Sequence, residues 1–375
     1  MRVLILSCNT GEGHNSCAEA LREYFTAQGA VCIVEDALRF LSDGMSDFIS
    51  HWHTRIYRHM PDLFRTGYRF VEVHPSLLQE GSVVYRALTG GAGRLYRFLA
   101  EGGYDTVICV HVFAAFMIEV LLQENPGAWK TAFLATDYTC SPSGSRHDLD
   151  WYFIPDSSLT EEFIRGGVQA EKLAATGIPV RMGFQIRGDR EKAKETLGLS
   201  PDCCHLMMMC GSMGCGPIQK IVDHLCAKIS ADTVVSVICG TNNRLRESLE
   251  RRFAGKPQIR VYGYVNQVPL FMDSADLYLT KPGGISVTEA AAKALPMAFV
   301  DAVAGCETYN MRYFIERGGA VTADCPEKLA DACVRLLSDR QQLQMMSDRL
   351  DALQIGSASR RIYQILSEEH LCESK

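Results

Sequence analysis

SCNTGEGHNS, residues 7–16, lies between the apolar run VLIL and the helical pattern ALREYF. An apolar strand, a glycine-bearing loop and a helix in this order are typical of the first βαβ unit of a parallel sheet. The apolar periodicity predicts the helix over Ser16–Thr26. Because the first N–H groups of a helix are unpaired and its dipole favours negative charge, the stretch is suited to hold a phosphate.

The same alternation of strands and helices continues along most of the chain. The predicted strands of the N-terminal half are Val3–Leu6, Val31–Glu35, Thr106–Val110, Thr131–Ala135 and Trp151–Ile154. The alternation restarts in the C-terminal half, where the predicted strands are Leu206–Cys210, Val234–Cys239, Ile259–Tyr262, Leu277–Thr280 and Met297–Val300. Since strands that alternate with helices form parallel sheets, the sequence predicts two α/β domains in tandem.

Changes in composition suggest the domain boundaries. Residues 1–180 form the first predicted domain, and a linker rich in proline, glycine and charge covers residues 181–202. Residues 203–350 form the second predicted domain. Residues 351–375 form a predicted C-terminal helix that returns to the first domain.

Residues 40–100 interrupt the alternation with helical patterns. Trp52, Arg55, Arg58 and Arg65 stand there among further aromatic and basic residues. Such side chains on short helices suit an anionic membrane surface, although a solvated helix face would give the same pattern. The pattern alone leaves both interpretations open.

The composition also excludes several classes of protein. The net charge of −6 over 375 residues argues against broad binding to nucleic acid. No apolar run reaches the roughly 18 residues of a membrane-spanning helix. The 15 cysteines are scattered, and several lie inside apolar runs with no secretory signal peptide expected at the N-terminus, so reduced, buried thiols in a cytoplasmic protein are expected. No metal site is predicted, although four cysteines lie near His205 in the sequence, namely Cys203, Cys204, Cys210 and Cys215.

The first glycine loop has two interpretations. Gly11 and Gly13 match a dinucleotide fingerprint, and Glu35 or Asp36 could bind a ribose, which would indicate an NAD-dependent oxidoreductase. Ser16 stands at the position of the third glycine, however, and His14 lies at the predicted helix start. A histidine beside the positive end of a helix stays neutral and can act as a general base, or it can serve only as a capping residue.

The C-terminal half contains two further glycine loops, GSMGCGP at residues 211–217 and KPGG at residues 281–284. Both lie between a predicted strand and a helix, so both suit an anion. Glu289 follows on the helix after KPGG, where a carboxylate can bind ribose hydroxyls. Glu307 and Asn310 are three residues apart on one face of the next helix. The parallel-sheet topology would bring these loops to one crevice.

These motifs resemble those of a known family. The N-terminal resemblance lies in TGEGHNSCAEAL (10–21), ATDYTCSP (135–142) and the segment 150–184. The C-terminal resemblance lies in MCGSMG, VYGYV, TKPGG and GCETYN. They are similar to the motifs of the diacylglycerol glycosyltransferases of glycosyltransferase family 28, among them plant monogalactosyldiacylglycerol synthase and the bacterial processive diacylglycerol glucosyltransferases. The resemblance implies the GT-B fold, two Rossmann-like parallel-sheet α/β domains that face each other across a cleft.

The resemblance also implies a donor site in the C-terminal domain. The backbone at Gly263 and Tyr264 would meet uracil, Glu289 would bind the ribose, and Glu307 and Asn310 would reach the sugar hydroxyls. The residues implied around the diphosphate are Gly211, Ser212, Gly214, Gly283 and Gly284, with Lys281 and Ser286 in the same donor site. Cys306 stands where many relatives carry an amide that helps to bind the sugar, so the sugar itself is not predicted.

For the acceptor, the resemblance implies a site in the N-terminal domain that includes Gly13 and His111. It also favours a membrane-facing helical insert over residues 40–100, because a lipid acceptor stays in its bilayer. His14 is the implied base, and Asp137 is either a rival base or the group that orients His14. The expected enzyme transfers a hexose from a UDP-sugar to a membrane lipid, diacylglycerol above all, with inversion and without a metal or cofactor. It would work in the cytoplasm at the inner face of the cell membrane. A transferase with a soluble acceptor and a non-catalytic binding protein are the alternatives, besides the NAD enzyme.

Overall fold

The four apolar residues Val3–Leu6 are fully buried, because both faces of the first strand are covered. The computed structural model describes residues 1–9, 12–42, 44, 82–141, 148–300 and 305–373. The chain divides into two compact units. The first is Met1–Met182 with Gly356–Lys375 and the short segment Ala304–Cys306, and the second is Gly183–Val303 with Glu307–Ile355.

The first unit is built on a six-stranded parallel sheet. Its strands are β1 (Arg2–Ser7), β2 (Val31–Asp36), β3 (Thr106–Cys109), β4 (Lys130–Leu134), β5 (Trp151–Ile154) and β6 (Leu173–Ala175). The helices described up to residue 166 are α1 (Glu12–Ala27), α2 (Val83–Thr89), α3 (Ala92–Gly102), α4 (Val112–Glu124) and α5 (Thr160–Gly166). The strand order is β2-β1-β3-β4-β5-β6, so the chain turns in opposite directions after β1 and after β3. The carboxyl ends of these two strands therefore flank a topological switch point, where α/β sheets bind ligands.

The second unit repeats this plan. Its strands are β7 (Cys204–Met209), β8 (Thr233–Ile238), β9 (Ile259–Tyr262), β10 (Leu277–Thr280), β11 (Met297–Phe299) and β12 (Ala320–Thr322). Its helices are α6 (Met182–Gln185), α7 (Arg190–Thr196), α8 (Ile218–Lys228), α9 (Asn243–Arg252), α10 (Val268–Ser274), α11 (Gly284–Ala292), α12 (Cys306–Glu316), α13 (Pro326–Ser338) and α14 (Arg340–Asp351). The order β12-β11-β10-β7-β8-β9 places a second switch point between β7 and β10.

The last helix, α15 (Ala358–Glu373), packs on α1 in the first unit. The Tyr363 ring lies edge-on to the Phe25 ring, with 5.2 Å between their centroids. Ser359 Oγ also donates a hydrogen bond to the carbonyl of Ala20 at 3.4 Å. The first unit is thus completed by a segment that follows the second unit in the sequence.

Both sheets and all ten predicted strands are present, whereas several element boundaries differ from the prediction. The edge strands β6 and β12 were not predicted, because they are only partly buried and lack the longer continuous apolar run that predicted the equally short β11. Helix α1 begins at Glu12 instead of Ser16, since an acidic residue is stabilised in the first helical turn and Gly13 is tolerated there. Residues 181–202, predicted as a linker, contain α6 and α7.

Candidate functional site

Three loops at the switch point of the first sheet bring polar side chains together. His14 lies in the first turn of α1, which follows β1. His111 lies between β3 and α4, and Thr136 and Asp137 follow β4. Because parallel strands end at the same edge of their sheet, residues far apart in sequence meet here. Gly13, predicted as part of the acceptor site, precedes His14 in the same helical turn.

One hydrogen bond fixes the tautomer of His14. Its Nδ1 lies 2.9 Å from the main-chain oxygen of Val110, which can only accept. The proton of neutral His14 is therefore on Nδ1, and Thr136 Oγ1 lies 3.3 Å from the same nitrogen. Nε2 carries the lone pair and has no hydrogen-bond partner among the described residues. That nitrogen is the one able to accept a proton from a bound hydroxyl.

The surroundings of His14 keep its ring neutral near pH 7. Burial lowers its pKa below the usual 6.5, because a charged imidazolium loses its hydration there. The Asp137 carboxylate opposes this shift, and so does the hydrogen bond to Val110. The net direction is downward, so His14 is a base at neutral pH and becomes charged only under acidic conditions.

The neighbours of His14 are held by the ends of two helices. His111 is the N-cap of α4, and its Nδ1 accepts a hydrogen bond from the Phe113 N–H at 3.2 Å. Its ring stands edge-on to the His14 ring, with 4.8 Å between the centroids. Glu162 on α5 accepts hydrogen bonds from Thr139 Oγ1 at 2.6 Å and from the Cys140 N–H at 2.7 Å. These bonds hold the loop that carries Thr136 and Asp137.

In the second unit, two loops at the carboxyl edge of the sheet touch backbone to backbone. Gly214 and Gly240 both adopt positive φ angles, of 55° and 57°. A Cβ on Gly240 would lie 2.0 Å from the Ser212 oxygen, and one on Gly214 would lie 2.3 Å from the Cys239 oxygen. Only glycine fits at either position. A Cβ on Gly211 would meet nothing within 4 Å, so this part of the loop faces open space.

The loop after β10 stands on the other side of the second switch point. Lys281 is 8% exposed, and its side chain passes beneath Gly216 of the neighbouring loop. Helix α11 begins at Gly284, and a Cβ on the preceding Gly283 would also meet only open space. Burial raises the pKa of the Cys210 thiol to about 12, and the charges of Lys281 and Glu307 also act on this thiol. Polar groups from the loops after β7, β10 and β11 therefore converge.

Glu289 and Asn310 are buried around this loop. Glu289 lies in the second turn of α11 and is 6% exposed. Asn310 is fully buried, and its Nδ2 donates a hydrogen bond to the Pro282 oxygen at 3.0 Å. Asn310 thus supports the KPGG loop, and its contact with a sugar stays a prediction. Ser286 is half-buried and forms a hydrogen bond with the phenol of Tyr278, which lowers the pKa that burial has raised.

Gly263 and Tyr264 follow β9 at the same edge of the sheet. The Tyr264 side chain is 62% exposed.

Four residues predicted to meet the membrane, Trp52, Arg55, Arg58 and Arg65, lie outside the described residues. The carboxylates proposed for a dinucleotide are used locally: Asp36 accepts a hydrogen bond from the Leu38 N–H, and Glu35 pairs with Arg39.

No three His, Cys, Asp or Glu side chains in the described ranges lie close enough to hold a metal ion. His205 uses both ring nitrogens elsewhere, with Ser236 Oγ at 2.8 Å and Ser274 Oγ at 3.0 Å. Within the same ranges, none of the helices is both long and apolar enough to cross a membrane.

Several residues of the site were not found from the sequence. The Val110 carbonyl and Thr136 come into contact with His14 only because β3 lies beside β1 and β4 is the next strand beyond β3. Asn242 donates from Nδ2 to the Gly214 oxygen at 3.0 Å and accepts the Leu245 N–H at 3.0 Å. Its position before a helix could have indicated the cap, but not the bond to a loop 28 residues earlier.

Two family models match the chain. Residues 14–180 match the family described as monogalactosyldiacylglycerol (MGDG) synthase, and residues 206–339 match the family described as glycosyl transferases group 1. The processive diacylglycerol beta-glucosyltransferase of Bacillus subtilis (strain 168) is 26% identical over 379 residues, which covers 100% of this chain and 97% of that protein.

Solved structures share the fold over the whole chain. MurG of Acinetobacter baumannii has a TM-score of 0.64 at 13% identity and covers 98% of this chain and 99% of its own. Anabaena Alr3699/HepE, solved in complex with UDP, has a TM-score of 0.59 at 14% identity and covers 98% of this chain and 100% of its own. The two parallel sheets thus have the arrangement of the GT-B fold. Within that fold, the first part of the chain matches the monogalactosyldiacylglycerol synthase family model, and nearly the whole chain is similar to the processive diacylglycerol glucosyltransferases.

Proposed function

We propose that this glycosyltransferase moves a hexose from a UDP-sugar to diacylglycerol with inversion at the anomeric carbon. The observation that carries the proposal is the state of His14: Nδ1 is bonded to the Val110 carbonyl, and Nε2 is available for a substrate proton. The related protein of Bacillus subtilis is named a diacylglycerol beta-glucosyltransferase, which supports the acceptor. The UDP bound to HepE supports the donor.

In the proposed reaction, His14 Nε2 takes the proton of the acceptor hydroxyl while its oxygen attacks the anomeric carbon. The bond between that carbon and the diphosphate breaks from the opposite face, and UDP leaves with the electron pair. The α11 N-terminus and Lys281 would stabilise the charge that develops on the diphosphate. Asp137 would stabilise the imidazolium that forms on His14, since its carboxylate already raises the pKa of this ring.

The remaining donor contacts follow the resemblance. We propose that Glu289 binds the ribose, that the backbone at Gly263 and Tyr264 meets uracil, and that Glu307 and Asn310 act on the sugar. The glycine loops after β7 and β10 would surround the diphosphate, because their exposed backbone faces open space at Gly211 and Gly283. No metal or cofactor is included in this proposal.

A surface of the first unit supports work at a membrane. Val83 and Val84 on α2 are 84% and 42% exposed, and Tyr96 on α3 is 41% exposed. Three exposed basic residues lie on the same two helices, namely Arg86, Arg94 and Arg97. Exposed apolar side chains beside cations suit an anionic bilayer, where diacylglycerol resides. We propose that the enzyme binds peripherally to the inner face of the cell membrane through this surface, called here the α2–α3 surface.

The test measures UDP release from UDP-glucose, UDP-galactose, UDP-N-acetylglucosamine or UDP-glucuronate with vesicles that contain diacylglycerol. We expect release from at least one donor, and loss of about 10²–10⁴-fold in kcat for His14→Ala with little change in UDP affinity. His224→Ala is the matched control, because His224 is a histidine of α8 that pairs with Glu327 and is not among the proposed site residues. A protein that releases UDP only with a soluble alcohol would favour the soluble-acceptor alternative, and one that uses no donor would refute the proposal.

A further inference from the structure

Arg246 is a cation of the second unit that the family resemblance did not bring forward. It lies in the first half of α9, where its N–H bonds to the Asn242 carbonyl at 3.0 Å. The preceding residues Gly240 and Thr241 contact the glycine loop after β7. Arg246 therefore belongs to the carboxyl edge of the second sheet, beside the proposed donor site.

The guanidinium of Arg246 has hydrogen bonds left to make. Its Nε is buried and has no hydrogen-bond partner in the described part of the chain. The nearest carboxylate oxygen, Glu250 Oε1, is 3.7 Å from Nε, which is too long for a hydrogen bond. A guanidinium carries five N–H donors in a fixed plane, and buried donors in folded proteins are normally satisfied. The Arg246 side chain is 38% exposed, so its terminal N–H groups, unlike the buried Nε, can reach a ligand acceptor.

The position of this group indicates which part of a ligand it meets. A Cβ added to Gly263 would lie 3.2 Å from Arg246 Nη1, so the guanidinium sits directly against the Gly263–Tyr264 turn. In the proposed function this turn meets the nucleobase. By contrast, Lys281 and the α11 N-terminus, the proposed diphosphate contacts, follow β10, which is separated from β9 by β7 and β8.

We propose that Arg246 donates a hydrogen bond to a carbonyl oxygen of uracil and thereby selects UDP over CDP. The inference rests on the proposed function, because that function places uracil at Gly263 and Tyr264. Uracil carries a carbonyl at ring position 4, whereas cytosine carries an amino group there. A donor that faces this position bonds to uracil but opposes the N–H groups of cytosine, so one residue both favours the right base and disfavours the wrong one.

The test is calorimetric binding of UDP, CDP and uridine to the full chain and to Arg246→Met. We expect the unsubstituted protein to bind UDP more tightly than CDP. The substitution should lower the affinities for UDP and for uridine by the same factor of about 10–100. The affinity for CDP should change little, so the ratio of UDP affinity to CDP affinity should fall. Arg244→Met is the matched control, because Arg244 is an exposed arginine on the same helix. Arg246→Lys keeps the charge without the planar fork and should restore the preference only in part.

Several results would overturn the inference. Equal weakening of UDP and CDP would show that Arg246 does not distinguish the base. Weakening of UDP without weakening of uridine would place the contact on the phosphates. Melting temperatures of the unliganded variants show whether Arg246→Met is still folded. If it is not, the ratio of UDP to CDP affinity in Arg246→Lys tests the inference instead. If the unsubstituted protein binds neither nucleotide, the proposed function fails together with this inference, whereas UDP binding with an unchanged preference removes the inference alone.

Discussion

The Nδ1 atom of His14 is hydrogen-bonded to a main-chain carbonyl, and the nearby carboxylate of Asp137 acts on the ring through its charge. These are two separable tasks. A carbonyl does not titrate, so it fixes the tautomer at every pH. A carboxylate changes the pKa of the imidazole without being needed for its orientation.

Replacing Asp137 should therefore move the pH dependence of the enzyme. The Asp137 carboxylate raises the pKa of His14, so Asp137→Asn should lower that pKa further. A base works in its neutral form, and its activity is lost as the pH falls through its pKa. The acidic limb of the profile of kcat/KM against pH should consequently move to lower pH in Asp137→Asn.

The same profile tests the rival assignment. If Asp137 were the base itself, Asp137→Asn would lose most of its activity at every pH, and no displaced limb would be seen. Thr136→Ser, which keeps the hydroxyl near His14 Nδ1, is the control and should leave the limb in place.

At this scale the sequence predicts which side chains would carry the chemistry, but it does not predict which groups hold them in place. His14 and Asp137 were predicted from a helix start and a strand end. The Val110 carbonyl was not, because every residue carries such a group and this one lies 96 residues from His14. Only the order of the strands decides which carbonyl comes into reach.

Among the elements, α9 has an N-cap residue with a second function, which its sequence does not predict. Its N-cap, Asn242, accepts the Leu245 N–H through Oδ1 and donates to the Gly214 oxygen through Nδ2. One side chain therefore starts a helix and holds the glycine loop after β7. The two functions use different atoms, so they can be separated by substitution.

Asn242→Asp should keep the helix cap and lose the bond to the loop. Aspartate caps as well as asparagine, but it has no N–H to donate, and its charge would face the Gly214 oxygen. We expect the melting temperature to change little and the affinity for UDP to fall about tenfold. Isothermal calorimetry and a thermal melt of the same samples measure both.

Asn242→Ala provides the comparison, because it removes the cap as well and should cost about 1 kcal/mol of stability. A result in which Asn242→Asp and Ala melt alike would show that the cap contributes nothing. UDP affinity that is unchanged in both variants would show that the loop does not need this bond.

The boundaries of the elements are predicted less well from sequence patterns than the elements themselves. Each long apolar strand was predicted, since a buried strand needs a run of apolar residues. Strands β6 and β12 were missed, because a three-residue edge strand depends on its neighbour for its hydrogen bonds. The early start of α1 was missed because Gly13 was interpreted as a loop residue, although it lies in a helical turn.

For the molecule as a whole, the proposed access to a lipid would depend on the α2–α3 surface. Val83→Asp should weaken binding to vesicles that contain phosphatidylglycerol, since it removes an exposed aliphatic group and adds a negative charge beside Arg86. Losing the transfer energy of one valine corresponds to roughly tenfold in affinity. Sedimentation with the vesicles measures the bound fraction.

The second unit offers the control for this change. Ile186 is another exposed aliphatic residue, 68% accessible, and Ile186→Asp should leave vesicle binding unchanged. Equal losses of vesicle binding in Val83→Asp and Ile186→Asp would mean that the α2–α3 surface is not the membrane-binding surface. Turnover of diacylglycerol dispersed in detergent should be the same in both variants.

The pairing of α1 with α15 has a consequence for how the protein is made. A ribosome produces residues 1–182 first, then the second unit, and the segment from Gly356 onward only afterwards. The second unit can thus fold during synthesis while α1, which bears His14, still lacks the Tyr363 and Ser359 contacts. The unit whose synthesis begins first is therefore completed last, and α1, which carries the proposed base His14, gains the support of α15 only at that point.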